Sequence, residues 1–320
     1  MANEFLTKLG IEIPILQAPV GGAATVELAS EVARAGGMGS LALTWTDPGV
    51  STAQVRNLRQ RAGQRFFVNY VLRFVPLGLD AALAADAPAM TLSWGIDVAL
   101  MAKIKSRGAL LGVQVGNAAG AKAAADAGAD FIIAQGVEAG GHVQSSRPLA
   151  QLLPDAIAAA HGVPVVAAGG MATAKDIRAA LDQGAAAVML GTRFLATPEA
   201  AAHAAYKDAL VAARAADTVF TNCFDIDWPY AMVRVLRNST FEAWEAAGCP
   251  AAPNRPGEGD AVAHHSASPI IRYSDTPPSC DASGDVLAAC LYAGQGVGGI
   301  DSIEPAYQLV TRLWREASQL

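Results

Sequence analysis

From residue 13 to about residue 195 the chain alternates short apolar runs with alanine-rich stretches, and the alternation repeats eight times. The apolar runs are Ile13–Gln17, Gly39–Leu43, Phe66–Tyr70, Met90–Ser93, Leu110–Val115, Phe131–Gln135, Val163–Ala168 and Ala187–Leu190. Each is too short and too uniformly apolar to be a strand with one wet face, which is how buried parallel strands read. Between them, Thr25–Ala35, Thr52–Ala62, Leu77–Ala85, Ile96–Ser106, Ala118–Ala127, Leu149–Ala160 and Ala174–Asp182 read as helices. Glycines such as Gly36 and Gly128 stand where a helix must stop before the next strand, and Thr25 and Thr173 stand where N-caps are needed. Eight strand–helix units fit a closed α/β barrel, (β/α)8, better than an open doubly wound sheet. No GxGxxG follows the first strand, so a dinucleotide-binding sheet is disfavoured.

Residues 199–320 lose the cadence. Pro250–Gly259 and Ser274–Gly284 read as long loops, and helices are expected over Glu199–Ala215, Phe241–Ala247, Asp285–Tyr292 and Pro305–Ser318. The expected organisation is a barrel over residues 1–205, followed over 206–320 by the last barrel helix and a mainly helical C-terminal lobe lying over the barrel mouth. Composition agrees with a large buried core, being 52% hydrophobic and 16% charged over 320 residues. A formal net charge of −6 gives no general attraction to nucleic acid or to an anionic membrane. No apolar stretch approaches the ~20 residues that span a bilayer, and the N-terminus has no apolar signal core. Cys223, Cys249, Cys280 and Cys290 lack CxxC spacing. Free thiols, no metal site and a cytoplasmic location are therefore the expectation.

In such a barrel, chemistry sits at the C-terminal ends of the strands. Polar and glycine residues concentrate there: Gln17-Ala-Pro-Val-Gly-Gly22, Thr44-Trp45, Asn69-Tyr70, Gln114, Gln135 to His142, Gly169-Gly170 and Gly191-Thr192. The last two strands end in Gly169-Gly170-Met-Ala-Thr173 and Gly191-Thr192-Arg193. Glycines let backbone approach an oxyanion, and helix-end N–H groups donate to it. Tight turns alone would also use these glycines, but both pairs occur after strands seven and eight, where barrels commonly hold phosphate. Arg193 could add charge there or face outward into a salt bridge.

Glu138-Ala-Gly-Gly-His142 follows the sixth strand. A histidine at the mouth can take a proton from carbon or orient an anion, and two glycines would let its loop pass close to a flat ring. A surface or capping histidine is the plainer alternative. Asn69 and Gln135 can bond the edge of a heterocycle or neighbouring loop backbone, and both readings stay open. No GxSxG, HExxH, GxxxxGK[ST] or paired-carboxylate motif stands at the strand ends.

Taken together, Gln17-Ala-Pro, Phe67-Val-Asn69-Tyr, Ala134 to His142, Ala168-Gly-Gly-Met and Leu190-Gly-Thr-Arg-Phe resemble the nitronate monooxygenase family, formerly called 2-nitropropane dioxygenases. In the tail, Arg237-Asn-Ser-Thr, Trp244-Glu-Ala-Ala-Gly and Tyr292-Ala-Gly-Gln-Gly-Val-Gly298 resemble the same family. The resemblance implies an FMN enzyme that oxidises alkyl nitronates with O2 to a carbonyl compound and nitrite. It implies that Ala18, Pro19 and Val20 line the isoalloxazine and that Asn69, Gln135, Gly140 and Gly141 contact the flavin. Gly169, Gly170, Gly191 and Thr192 would hold the phosphate, Gln295 would reach in from the lobe, and His142 would be the base. The implied partners are a nitronate or nitroalkane and O2, with a homodimer left open. Two departures touch the substrate side: Val143-Gln144-Ser145 follows the histidine, and Val20 stands where many relatives have methionine. NAD(P)H-dependent flavin reductases acting on enoyl thioesters or quinones share the histidine loop and form the alternative. A non-catalytic flavin carrier is the third reading.

Overall fold

The computed structural model describes residues 2–266 and 268–320. Strands β1 (Ile15–Gln17), β2 (Gly39–Ala42), β3 (Phe66–Val71), β4 (Ala89–Ser93), β5 (Leu110–Val115) and β6 (Phe131–Gln135) precede a two-residue β7 (Gly141–His142). Then come β8 (Val165–Ala168) and β9 (Ala187–Leu190). All but β7 form one eight-stranded parallel sheet in the order β1-β9-β8-β6-β5-β4-β3-β2. The seam between β2 and β1 closes through a parallel bridge, Leu16 to Met38. The buried Gln17 amide reinforces that seam: Nε2 donates to Ser40 O at 3.2 Å, and Oε1 accepts from Ser40 N at 2.9 Å. The (β/α)8 barrel expected from the cadence is what forms.

Side chains on a strand alternate faces, so one neighbour fixes the rest. Phe66, Val68 and Tyr70 pack outward under the helices, whereas Phe67 points into the barrel with Leu16, Phe131, Ile133, Val166 and Met189. Burying each such phenylalanine stabilises the fold by roughly 1.5–3 kcal/mol. The same parity puts Asn69 above Phe67, and Gln135 above Phe131 and Ile133, at the mouth. The interior is sealed at the opposite end by α1 (Ala2–Leu9), whose Phe5 ring lies 5.7 Å from that of Phe131.

The outer helices are α2 (Val26–Arg34), α3 (Pro48–Ala62), α4 (Leu79–Ala84), α5 (Val98–Ser106), α6 (Ala118–Asp126), α7 (Leu149–Ala159) and α8 (Ala174–Asp182). Thr25 and Thr173 cap α2 and α8 as expected, Thr173 through a reciprocal capping box with Asp176. Helix α3 starts earlier than expected because Asp47 accepts from Gly49 N and Pro48 opens the first turn. Gly36 and Gly128 end their helices with left-handed φ of 97° and 86°.

After β9 come short α9 (Thr192–Leu195), α10 (Ala204–Ala212) and α11 (Ser239–Ala246). Helix α12 (Ala306–Ala317) then returns to pack between α2 and α8 as the last helix of the outer ring. The segment between them differs from the mainly helical lobe expected. It contains β10 (Thr218–Thr221) and β11 (Val233–Leu236), and a separate antiparallel sheet of β12 (Ala261–His265), β13 (Ser268–Ile271) and β14 (Ala282–Gly284). The helix expected over Asp285–Tyr292 is one 3-10 turn at Val286–Ala288 followed by extended chain. Side chains and a neighbouring strand outcompete the helix there. Asn238 Nδ2 donates to Leu287 O and Ala289 O, Thr240 Oγ1 donates to Ala288 O, and Val235 bridges Tyr292. Among the described residues no helix is long and apolar enough to cross a membrane.

Candidate active site

The barrel mouth and the lobe enclose a cavity of about 620 Å³. Ala18, Pro19, Val20, Asn69, Gln135, Gly140, Gly141, His142, Gly169, Gly170, Gly191 and Thr192 all line it. Gln295 does not: its side chain is exposed, and only its backbone N–H is engaged, donating to Glu138 O at 2.9 Å. The neighbouring Gly294 and Gly296 line the cavity instead.

One corner is made by the ends of β8 and β9, which are adjacent in the barrel. Among the described residues the N–H groups of Gly170, Met171, Gly191 and Thr192 have no acceptor within the protein. Four N–H groups without an acceptor thus stand at the ends of two neighbouring strands on the cavity wall, beside the Thr192 hydroxyl, whose oxygen accepts from Gly294 N at 2.9 Å. The lobe presses down on this corner closely enough to exclude side chains. A Cβ on Gly296 would meet the Gly170 and Met171 backbones at 2.9 Å. Arg193 takes no part, because it is buried facing outward, 3.3 Å from Glu304.

Around the rest of the mouth, Asn69 Nδ2 donates to Thr91 Oγ1 at 2.9 Å, leaving Oδ1 without a partner in the protein. Gln135 is committed to the histidine loop: Nε2 donates to His142 O at 3.3 Å, and Oε1 accepts from Gln144 N at 3.1 Å. Val143 and Gln144, two of the departures from the family pattern, do not line the cavity; Val143 N donates to Met232 O in the lobe. Glu138 is structural, its carboxylate accepting from Leu149 N at the start of α7.

His142 sits on β7, which pairs with β11, so the lobe's sheet aims the imidazole. Its ring stacks on Trp228 at 4.3 Å with 30° between planes, and Tyr292 and Trp94 flank it. Nε2 is buried without a hydrogen bond, 3.5 Å from Asp275 Oδ2. Burial pulls the imidazole down to about 4, so it is neutral at pH 7. Burial, with the Asp227 carboxylate beside it, pushes Asp275 up to about 7.

Trp94, Asp227, Trp228, Asp275 and Tyr292 also line the cavity and lie outside the residues expected from sequence. Trp94 was within reach of the strand-end rule, since it directly follows β4. Its φ of 61°, unusual for a bulky residue, turns the indole to within 4.6 Å of Trp228. Trp228, Asp227 and Asp275 come from lobe loops, where no periodicity announces them.

The sequence profile of the nitronate monooxygenase family matches residues 77–316. A nitronate monooxygenase of Pseudomonas aeruginosa is 31% identical, with 99% of each chain covered. The (3aS,4S,5R,7aS)-5-hydroxy-7a-methyl-1-oxo-octahydro-1H-indene-4-carboxyl-CoA dehydrogenase of Mycobacterium tuberculosis is 32% identical, covering 98% of this chain and 95% of its own. Among solved structures, the nitroalkane oxidase of Streptomyces ansochromogenes superposes with a TM-score of 0.79 at 31% identity, covering 98% of both chains. The chain belongs to the nitronate monooxygenase family, a family of flavin-dependent oxidoreductases.

Proposed function

We propose that this protein is an FMN enzyme that oxidises an alkyl nitronate, or the nitroalkane that gives rise to it, with O2 to a carbonyl compound and nitrite. The observation that carries the reading is a neutral imidazole without a hydrogen bond that lines the same cavity as four unpaired backbone N–H groups suited to an anion. The donor set fits FMN. Gly170, Met171, Gly191 and Thr192 supply donors for one phosphate, Asn69 Oδ1 can accept from the heterocycle's N–H edge, and Ala18–Val20 offer an apolar wall. When bound, the flavin accepts electrons from the substrate and passes them to O2. Everything else falls to this chain's residues. Trp228 and Tyr292 hold the ring of His142, Gln135 ties down its loop, and the closed lobe limits water at the imidazole.

His142→Asn keeps similar size and a donor but cannot accept the proton. Activity on neutral nitroalkane should fall about 10²–10⁴-fold, with a much smaller loss on preformed nitronate and FMN still bound. Equal losses on the two substrate forms would remove the base assignment. A second reading, turnover of a CoA thioester through the flavin, is supported by the similarity to the Mycobacterium tuberculosis dehydrogenase. The two readings differ in what reduces the bound flavin.

A further inference from the structure

Resting on the nitronate reading, we propose that Asp275, with Asp227 behind it, is the positioning carboxylate of His142, and that this acidic pair makes the site take the neutral carbon acid in preference to its anion. The two ring nitrogens of His142 are not equivalent. Nε2 is sealed from solvent, 3.5 Å from Asp275 Oδ2, whereas Nδ1 has no hydrogen bond and is not sealed. A carboxylate on the Nε2 side keeps the proton there and leaves Nδ1 as the acceptor facing the cavity. Asp275 is itself anchored, because its backbone oxygen accepts from the Tyr292 hydroxyl at 2.6 Å.

Among the described residues no lysine or arginine pairs with Asp227 or Asp275, and the two carboxylates stand side by side in the cavity wall. The other titratable or charged groups around His142 are committed elsewhere. Glu138 on its own loop accepts from Leu149 N, and Arg234 on β11 donates to Val137 O and Thr218 Oγ1. Across the cavity His265 bonds Ser279, and the Tyr292 hydroxyl is the anchor already described. Among the described residues Asp275 is therefore the carboxyl that faces the His142 ring at ion-pair range.

The consequence for substrate follows from charge balance. When a neutral nitroalkane reacts, its C–H bond breaks, the proton goes to Nδ1, and the electron pair moves into the nitro group. A neutral pair becomes an anion and an imidazolium, and an ionised Asp275 stabilises the imidazolium. A preformed nitronate brings negative charge to a cavity that already holds carboxylates and offers no cation.

The test follows the His142 imidazole by NMR in the FMN-loaded enzyme, its signal assigned by its absence in His142→Asn. At pH 8, where Asp275 is ionised, the neutral ring should carry its proton on Nε2 in the wild type, and in Asp275→Asn the population should shift toward the Nδ1–H tautomer, read from the ring nitrogen shifts. In Asp227→Asn the imidazole's proton affinity should rise, because Asp275 then ionises at lower pH. The ratio of kcat/KM for neutral nitroalkane over nitronate should fall at least about tenfold in Asp275→Asn. An unchanged tautomer in Asp275→Asn at pH 8, or equal losses on both substrate forms, would overturn the proposal. If Asp275→Asn does not fold, the rise in Asp227→Asn decides, and no rise counts against the pairing. Should the wild type turn over neither substrate form, the nitronate reading fails, while the imidazole titration still judges the pairing on its own.

Discussion

Thr192 makes one contact and keeps a second available. Its oxygen accepts from Gly294 N of the lobe at 2.9 Å, and its hydroxyl proton has no acceptor among the described residues, beside the four unpaired backbone N–H groups. On the proposed reading the phosphate takes that proton, and a hydrogen bond to a charged group is worth about 1.5–3 kcal/mol. Thr192→Val should therefore cost FMN at least about tenfold in affinity while barely changing riboflavin, which lacks the phosphate; Thr192→Ser should keep both. Equal losses of FMN and riboflavin in Thr192→Val would make the residue a lobe contact only. A second residue-scale consequence concerns pH. His142 is held down to about 4, so native stability rises as pH climbs from there to 6.5; Asp275 is pushed up to about 7, so its contribution falls over the same window. The two slopes oppose and nearly cancel. Asp275→Asn removes one, so in urea unfolding the variant's stability should rise with pH more steeply than the wild type's, by about 1.4 kcal/mol per pH unit between pH 4.5 and 6. An unchanged slope in that variant would mean Asp275 is not held protonated by burial. Asn69 and Gln135 were legible at this scale because strand parity alone carries them to the mouth. Asp275 was not, because a carboxylate in an aperiodic loop has the same sequence appearance whether it meets solvent or a buried imidazole.

At the scale of elements, the barrel strands announced themselves through uniform apolarity, while the lobe's strands did not. Strands β10 to β14 are three to five residues long, and several carry exposed polar positions. Neither a period of two nor a continuous apolar run marks them out. The stretch 285–292 has helix-forming composition, yet α11's capping residues take its carbonyls and β11 takes its edge. Tertiary pairing overrides propensity there. The element that joins barrel to lobe is β7, two residues long, with Gly140 immediately before it. A Cβ on Gly140 would lie 2.5 Å from Gly294 N, against backbone that cannot swing aside. Gly140→Ala should thus cost about 1–3 kcal/mol in denaturant unfolding and raise both flavin loss and proteolytic cutting of the lobe. An alanine variant with wild-type stability and flavin retention would show that the histidine loop and lobe can separate without consequence.

For the molecule as a whole, a parallel barrel supplies rigid strand ends and the lobe supplies the aromatic and acidic wall that faces them. The unpaired N–H groups are on barrel residues, while Trp228, Tyr292 and Asp275 beside His142 come from the lobe, so on the proposed reading cofactor holding and substrate choice are divided between the two parts. That division explains why the barrel side of the cavity could be read from strand-end glycines and the lobe side could not. It also locates the central claim, that electrons enter the flavin from a nitronate. Anaerobic mixing of the FMN-loaded enzyme with a nitroalkane, with its preformed nitronate, and separately with NADH and NADPH, tests it directly through the flavin absorbance. The account predicts reduction by the nitroalkane, less efficient reduction by the preformed nitronate, little or none by the nicotinamides, and nitrite formed when O2 is admitted. Bleaching by NADH or NADPH with no response to either nitro form would contradict it.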